Sequence, residues 1–371
     1  MHVAVMGAGA VGSFYGAMLA RAGHAVTLIG RPAHVQAIER DGLRLEMGQQ
    51  THTVRLSASS NPAAIAGADL VLCCVKSGDT EMAAQQMAPH LKESTLLMSL
   101  QNGVDNAETL ARLLPCRVIP AVVYVAVALG GPGVVRHFGR GDLAIGAMPD
   151  GTQSSVPEWP TLQTLVDFFA SAQVPVRIVP DVAVELWAKL LVNCAYNAIS
   201  ALAQMPYAKL AALPDIVELQ HEIVHEVIAV AAAAGVTLPL EASLQAVARI
   251  AAGMPQQLSS TTQDMARHKP SEIDHLNGSI VRRGRGRRCD AAAGGVAAGG
   301  STHCGRHAAA AVVDGAGHGA AQAQRDRPPQ RQHRAPWPRT GRADAGEPHA
   351  ACAGQAGRDW LPKRMNQAVP E

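Results

Sequence analysis

The chain has 371 residues, a formal net charge of +2, 17% charged residues and 48% apolar ones. That length predicts two domains, or two and a tail, and the near-neutral balance gives no reason to expect a nucleic-acid or acidic partner. Seven cysteines, an odd number without paired spacing, fit reduced thiols in a cytoplasm better than a disulfide framework.

Residues 2–6 (His-Val-Ala-Val-Met) are a short apolar run suited to a buried parallel strand. No basic region precedes the apolar start, so a signal peptide is not expected. The turn that follows reads Gly7-Ala8-Gly9-Ala10-Val11-Gly12. Gly7 permits a tight turn, Gly9 lets backbone amides approach a pyrophosphate, and Gly12 lets the next helix pack on the strand. The helix N-terminus then adds unpaired amides and partial positive charge. Gly23 stops that helix and Val26–Ile29 resumes a strand. Where an NAD enzyme carries an acid for the ribose 2′-hydroxyl, this chain has Gly30-Arg31-Pro32. A guanidinium can hold a 2′-phosphate bidentately, so NADP(H) is the expected dinucleotide. The competing readings of the glycine turn alone are a flexible loop and an S-adenosylmethionine site.

Ala68–Val75 reads as a buried strand that delivers Lys76 at its carboxyl end, and Thr95–Leu100 as another that delivers Gln101-Asn102-Gly103. Ligands of such sheets lie beyond the carboxyl ends of the strands, which puts Lys76 and Asn102 toward cofactor or substrate. The plainer readings are a solvated strand end and an ordinary Asn-Gly turn. Val118–Leu129 is apolar but ends in Gly130-Gly131-Pro132-Gly133, too short and broken to span a bilayer. Val134–Gly146 reads as closing β structure, with His137 structural rather than catalytic.

From about residue 180 the pattern turns helical. Asp181 caps a helix running to about Ala203, Val217–Ala234 and Glu241–Ala252 follow, and 259–283 reads as a capped helical stretch. The expected organisation is α/β followed by all-α: a Rossmann-type doubly wound sheet over 1–178 and a helical domain over 179–283, with a site in the cleft between them. In the first of those helices Lys189, Asn193 and Asn197 recur in steps of four, which keeps them on one face at intervals of about 6 Å along the axis. The flanks are apolar, and buried amides and an ammonium are costly unless paired, so packing explains the stripe poorly. Cys194 lies on the same helix and is expected to line the site. A lysine in such a cleft can donate a proton to a carbonyl oxygen as hydride arrives.

Over roughly residues 1–283 the chain resembles the ketopantoate reductase (2-dehydropantoate 2-reductase) family. The resemblance is carried by the Gly7–Gly12 turn, Arg31, Val75-Lys76, Gln101-Asn102-Gly103 and the Lys189/Asn193/Asn197 stripe. Ser259-Ser260 with Gln263-Asp264, and Glu272-Ile273-Asp274, complete it. It implies NADPH-dependent reduction of 2-dehydropantoate to pantoate, a step toward pantothenate and coenzyme A. By the same resemblance Lys189 is the general acid and Glu272 holds the substrate and orients the site. Asn193, Asn197 and Ser260 bind the substrate, Lys76 and Asn102 lie where cofactor and substrate meet, and Arg31 takes the 2′-phosphate. Alternatives are a reductase of another branched 2-oxoacid and a non-catalytic NADP-binding protein. The partner implied is a small 2-oxoacid, with no metal, nucleic acid or membrane, and a homodimer is left open.

After Arg282-Arg283 the composition changes. Residues 284–371 hold no Ile, Phe or Tyr and a single leucine, Leu361, while Arg, Ala, Gly and Pro dominate, so this segment is expected to be disordered. The family continues with a Gly-Val-x-Thr-Pro sequence. Codons for Arg287-Arg288-Cys289-Asp290-Ala291 exist that, read one base out of step, give Gly-Val-Ala-Thr-Pro. A reading-frame shift near residue 284 is therefore the expectation, with a natural basic tail as the alternative.

Overall fold

Alternation along the first strand sets the architecture. In β1 (His2–Met6) Val3 and Val5 point to one face of a sheet and Ala4 and Met6 to the other, and all four are buried. The computed structural model describes residues 1–147 and 159–293, and side chains only outside 159–160 and 286–293. In chain order β1 is followed by α1 (Ala10–Arg21), β2 (Ala25–Ile29), α2 (Pro32–Asp41), β3 (Leu43–Met47), β4 (Gln50–Val54) and β5 (Ser57–Ser59). Next come β6 (Leu70–Cys73), α3 (Thr80–Met87), β7 (Leu96–Ser99), α4 (Asn106–Leu113), β8 (Arg117–Gly131) and β9 (Val134–Ile145). The α/β half closes with α5 (Trp159–Ser171) and β10 (Val176–Ile178).

The strands lie in the order β4-β3-β9-β8-β7-β6-β1-β2-β5, with β10 added to β9. From β5 to β7, and on to the start of β8, neighbours are parallel, as a doubly wound sheet requires. The rest is mixed. Long β8 pairs parallel with β7 over Arg117–Pro120, then antiparallel with β9 over Ala121–Gly131. Pro120, which has no N–H for a ladder, sits where the strand changes partners. Three register shifts along β8–β9 and the positive φ of Gly139, Arg140 and Gly141 curl this part of the sheet. The curl brings β3, β4, β8 and β9 around α1, which also packs on β1 and β2. Gly12 to Leu19 are consecutively buried, because the helix is enclosed on all sides and has no solvent-facing stripe. On the opposite face α3 and α4 cover the parallel strands with Ala83, Ala84, Met87, Ala107 and Leu110.

The helical half contains α6 (Val182–Ala203), α7 (Tyr207–Ala211), α8 (Pro214–Ala233), α9 (Leu240–Gly253), α10 (Ser260–Ala266) and α11 (Asn277–Ala293). Asp181 caps α6 as expected, accepting from the Ala183 and Val184 amides. Its first turns (Val182, Leu186) pack on Val122 of β8 and Ala144 of β9, while Leu190, Leu191, Cys194 and Ala195 enter a core shared with α8 and α9. Thus one helix joins the two halves. By length and composition α6 could also cross a membrane, but half of its most apolar stretch is buried inside the molecule. The stretch 259–283 is not one helix. It breaks after Ala266, where His268 takes a left-handed φ of 52° and Pro270 follows, and resumes as α11 after a short 3-10 turn at Ile273–His275. Helix α11 continues to Ala293, past the residue where the composition predicts disorder to begin, as the helix propensities of Arg and Ala allow. The remainder of the expected tail, 294–371, lies outside the described residues.

Candidate active site

The glycine turn has two tight positions and one open position. Gly7 has φ +104°, and a Cβ there would lie 2.7 Å from the Val75 amide nitrogen. At Gly12 a Cβ would lie 2.3 Å from the Gly7 carbonyl oxygen. Both glycines are needed so that backbone can meet backbone, Gly7 against the carboxyl end of β6 and Gly12 against the turn itself. A Cβ on Gly9, by contrast, would meet nothing within 4 Å. Gly9 is the N-cap of α1, no side chain caps that helix, and the Gly9, Ala10 and Val11 amides have no acceptor among the described residues. Open backbone and three unpaired donors at a helix N-terminus suit a phosphate group. Gly30 packs so closely on the turn that a Cβ would be 2.7 Å from Ala8 Cβ. The next residue, Arg31, is the N-cap of α2, and its exposed guanidinium makes no hydrogen bond or ion pair among the described residues. These residues fit an NADP(H) molecule: amides for the pyrophosphate and a spare cation for the 2′-phosphate.

Helix α6 carries the polar stripe. Lys189 Nζ donates to the Val123 carbonyl oxygen of β8 at 2.6 Å. Burial pushes the Lys189 pKa down to about 8, with nearby Arg140 acting in the same sense and Glu272 opposing. One turn on, Asn193 is half-buried, and Asn197 is only 3% exposed. Neither side chain has a hydrogen-bond partner among the described residues. Neither amide is among the fully buried polar atoms left without a partner, so both keep open bonding capacity that a polar ligand can take up.

The residues that complete the site come from the far end of the chain. Ser259 caps α10: its hydroxyl accepts from the Thr262 amide and donates to the Asn197 carbonyl. That bond brings Ser260, exposed and without a partner, next to the stripe. Glu272 Oε1 accepts from both the amide and the hydroxyl of Ser77 at 3.0 Å, and Oε2 from Asn102 Nδ2 at 3.1 Å. The carboxylate is therefore held by the α/β half, at the carboxyl ends of β6 and β7. Lys76 reaches the same seam but is occupied: its ammonium donates to Asp264 Oδ2 at 2.7 Å and to the Pro270 carbonyl at 2.6 Å. Cys194, expected to line the site, is 1% exposed in the helical core, where burial raises its pKa. It lies one residue beyond Asn193, and a step of one leaves the polar face. His137 is structural, stacked on Phe14 with its ring bonded to the Arg140 carbonyl.

One group at the site was not singled out in the sequence. Glu185 extends the α6 stripe by a turn, accepting from Tyr124 OH at 2.7 Å and from both terminal nitrogens of Arg177 at 2.9 and 3.0 Å. Its spacing, four residues before Lys189, was the available signal.

Two family models match the chain: ketopantoate reductase PanE/ApbA over residues 3–150, and ketopantoate reductase PanE/ApbA C terminal over 181–294. A curated 2-dehydropantoate 2-reductase of Halobacterium salinarum is 32% identical over 288 residues, covering 77% of this chain and 92% of the relative. Among solved structures, a PanE/ApbA family ketopantoate reductase from Ralstonia eutropha is 53% identical with a TM-score of 0.72, covering 78% of this chain and 93% of that one. A D-mandelate dehydrogenase solved with NADH and anilino(oxo)acetate shares the fold at 24% identity and a TM-score of 0.72, covering 78% and 93%.

Proposed function

The chain belongs to the ketopantoate reductase PanE/ApbA family of NADP-dependent oxidoreductases, and from that premise we propose that it reduces 2-dehydropantoate to pantoate, with Lys189 as the general acid. The observation that carries this reading is a part-buried lysine, its pKa lowered to about 8, on the same helix face as two amides without protein partners. The Gly9–Val11 amides hold the pyrophosphate and Arg31 the 2′-phosphate. When bound, NADPH supplies the hydride to the keto carbon.

The chain's own residues manage the proton and the orientation. An ammonium has three donors, and Val123 takes one of them, which leaves Lys189 able to reach a keto oxygen while its position stays fixed. A pKa near 8 leaves Nζ mostly protonated at pH 7 yet a better donor than a surface lysine, so it can pass a proton to the oxygen as negative charge develops there. Asn193 and Asn197, with Ser260, bind the hydroxyl and carboxylate of the substrate. Glu272, fixed through Ser77 and Asn102, holds the substrate hydroxyl and keeps the Lys189 ammonium charged between turnovers. Lys76 and Asn102 border the place where cofactor and substrate meet.

The test is NADPH oxidation, followed by absorbance, with 2-dehydropantoate and a panel of branched and aryl 2-oxoacids. The highest kcat/KM is expected with 2-dehydropantoate. Faster turnover of another oxoacid would reassign the substrate, and cofactor binding without turnover on any of them would make the chain a non-catalytic NADP-binding protein.

A further inference from the structure

His34, a residue of α2 that is 7% exposed, lies three positions after Arg31 and has both ring nitrogens engaged. The Gly133 amide, in the turn between β8 and β9, donates to Nδ1 at 2.9 Å. Nδ1 therefore carries the lone pair, and the proton of the neutral ring sits on Nε2. Nε2 is 3.1 Å from Ser13 Oγ, whose own hydrogen goes to the Ala8 carbonyl at 3.3 Å. The bonds run in one direction, from the Gly133 amide through imidazole and hydroxyl to the glycine turn. Burial lowers the His34 pKa, which keeps the ring neutral and this tautomer in place.

The last of these bonds acts on Gly9. A trans peptide holds its C=O and N–H on opposite sides, and the described chain has no cis bonds. An Ala8 carbonyl turned in toward Ser13 thus turns the Gly9 N–H out, where it has no partner among the described residues. At the other end, the His34 amide donates to the Arg31 carbonyl at 3.0 Å, so the ring anchors the first turn of the helix that Arg31 caps.

We propose that His34 is a positioning residue for the dinucleotide. Through Ser13 it aims the Gly9 amide at the pyrophosphate, and through the first turn of α2 it sets the Arg31 guanidinium for the 2′-phosphate. The inference rests on reading the glycine turn as the NADPH site. It departs from a purely structural histidine in predicting different effects on NADPH and NADH.

Dissociation constants for NADPH and NADH, measured by fluorescence titration of the full chain, test this in Ser13→Ala, His34→Leu and His34→Gln. Ser13→Ala weakens both dinucleotides by the same factor, about three- to tenfold for one lost hydrogen bond. His34→Leu weakens NADPH further than NADH, because only NADPH uses Arg31. His34→Gln, whose amide can still donate to Ser13, recovers most of the NADH affinity. Unchanged affinities in Ser13→Ala overturn the proposal even if the leucine variant fails to fold, as does equal loss of both cofactors in His34→Leu. A wild-type chain that binds neither dinucleotide would instead overturn the reading of the turn itself.

Discussion

In the proposed mechanism the glycine turn and the α6 stripe serve one reaction, but they are built in opposite ways. At residues 7–12 the working parts are backbone: three unpaired amides at the start of α1, exposed by glycines whose absent side chains make room. On α6 the working parts are side chains, a lysine and two amides spaced by the helical repeat, and backbone serves only to fix them, as Val123 does for Lys189. A backbone site is contiguous and, at Gly7 and Gly12, tolerates no added atoms. A side-chain site is spread along the helix and depends on partners from distant sequence, here Ser260, Glu272 and the Tyr124–Glu185–Arg177 group. The division also separates tasks, since binding a dinucleotide needs fixed dipoles whereas moving a proton needs a group that titrates.

If that division holds, damage to each region has its own signature. The largest effect is expected from Lys189→Ala, which removes the proposed proton donor from the stripe: kcat falls by about 10²- to 10⁴-fold. The NADPH dissociation constant stays within about twofold of wild type, because no phosphate contact is touched. Steady-state kinetics with a parallel binding titration check this, and a comparable loss of NADPH affinity would mean that the two regions are not separable. The turn gives the reciprocal case. In Gly12→Ala the new Cβ would stand 2.3 Å from the Gly7 carbonyl oxygen, backbone that cannot swing aside. Stability should fall by about 1–3 kcal/mol, as for other overpacked sites. NADPH affinity falls with it, while the kcat of whatever complex forms changes least. A thermal melt reads the first effect and a titration the second.

The two regions also differed in how legible they were. The turn could be read from six consecutive residues, with strand before and helix after, because backbone geometry leaves its trace in glycine positions. The stripe was legible as periodicity, and Asp181 marked where its helix begins. The break inside 259–283 was missed because the local pattern looked helical throughout, although Lys269-Pro270 was the warning. That Lys76 is tied to Asp264 depends on a contact across nearly two hundred residues, on which spacing is silent. Nor does strand alternation show that β8 would change partners at Pro120 and wrap the sheet around α1. Curl is set by register shifts and positive φ in two strands at once, which no single segment encodes.

The smallest expected effect sharpens the comparison most, because it is a titration and a backbone site has nothing to titrate. With Lys189 as the proposed general acid, reduction needs its ammonium, so kcat should be level at neutral pH and fall as pH rises through about 8. The reverse oxidation needs the neutral amine and should rise over the same range. Two neighbours set where the limb lies. Glu272 favours the ammonium, so Glu272→Gln moves the limb to lower pH; Arg140 disfavours it, so Arg140→Gln moves it to higher pH. Linkage gives a third reading of the same group. Its folded pKa lies below the unfolded value, so between about 8 and 10.5 the unfolded chain binds more protons, and the lysine's unfavourable contribution to stability is relieved as pH rises through that window. Lys189→Met, which has no charge to bury, should therefore melt higher than wild type at pH 7, with the gap narrowing toward pH 10. A limb that ignores both neighbouring substitutions, together with a melting gap independent of pH, would assign the proton to some group other than the α6 lysine.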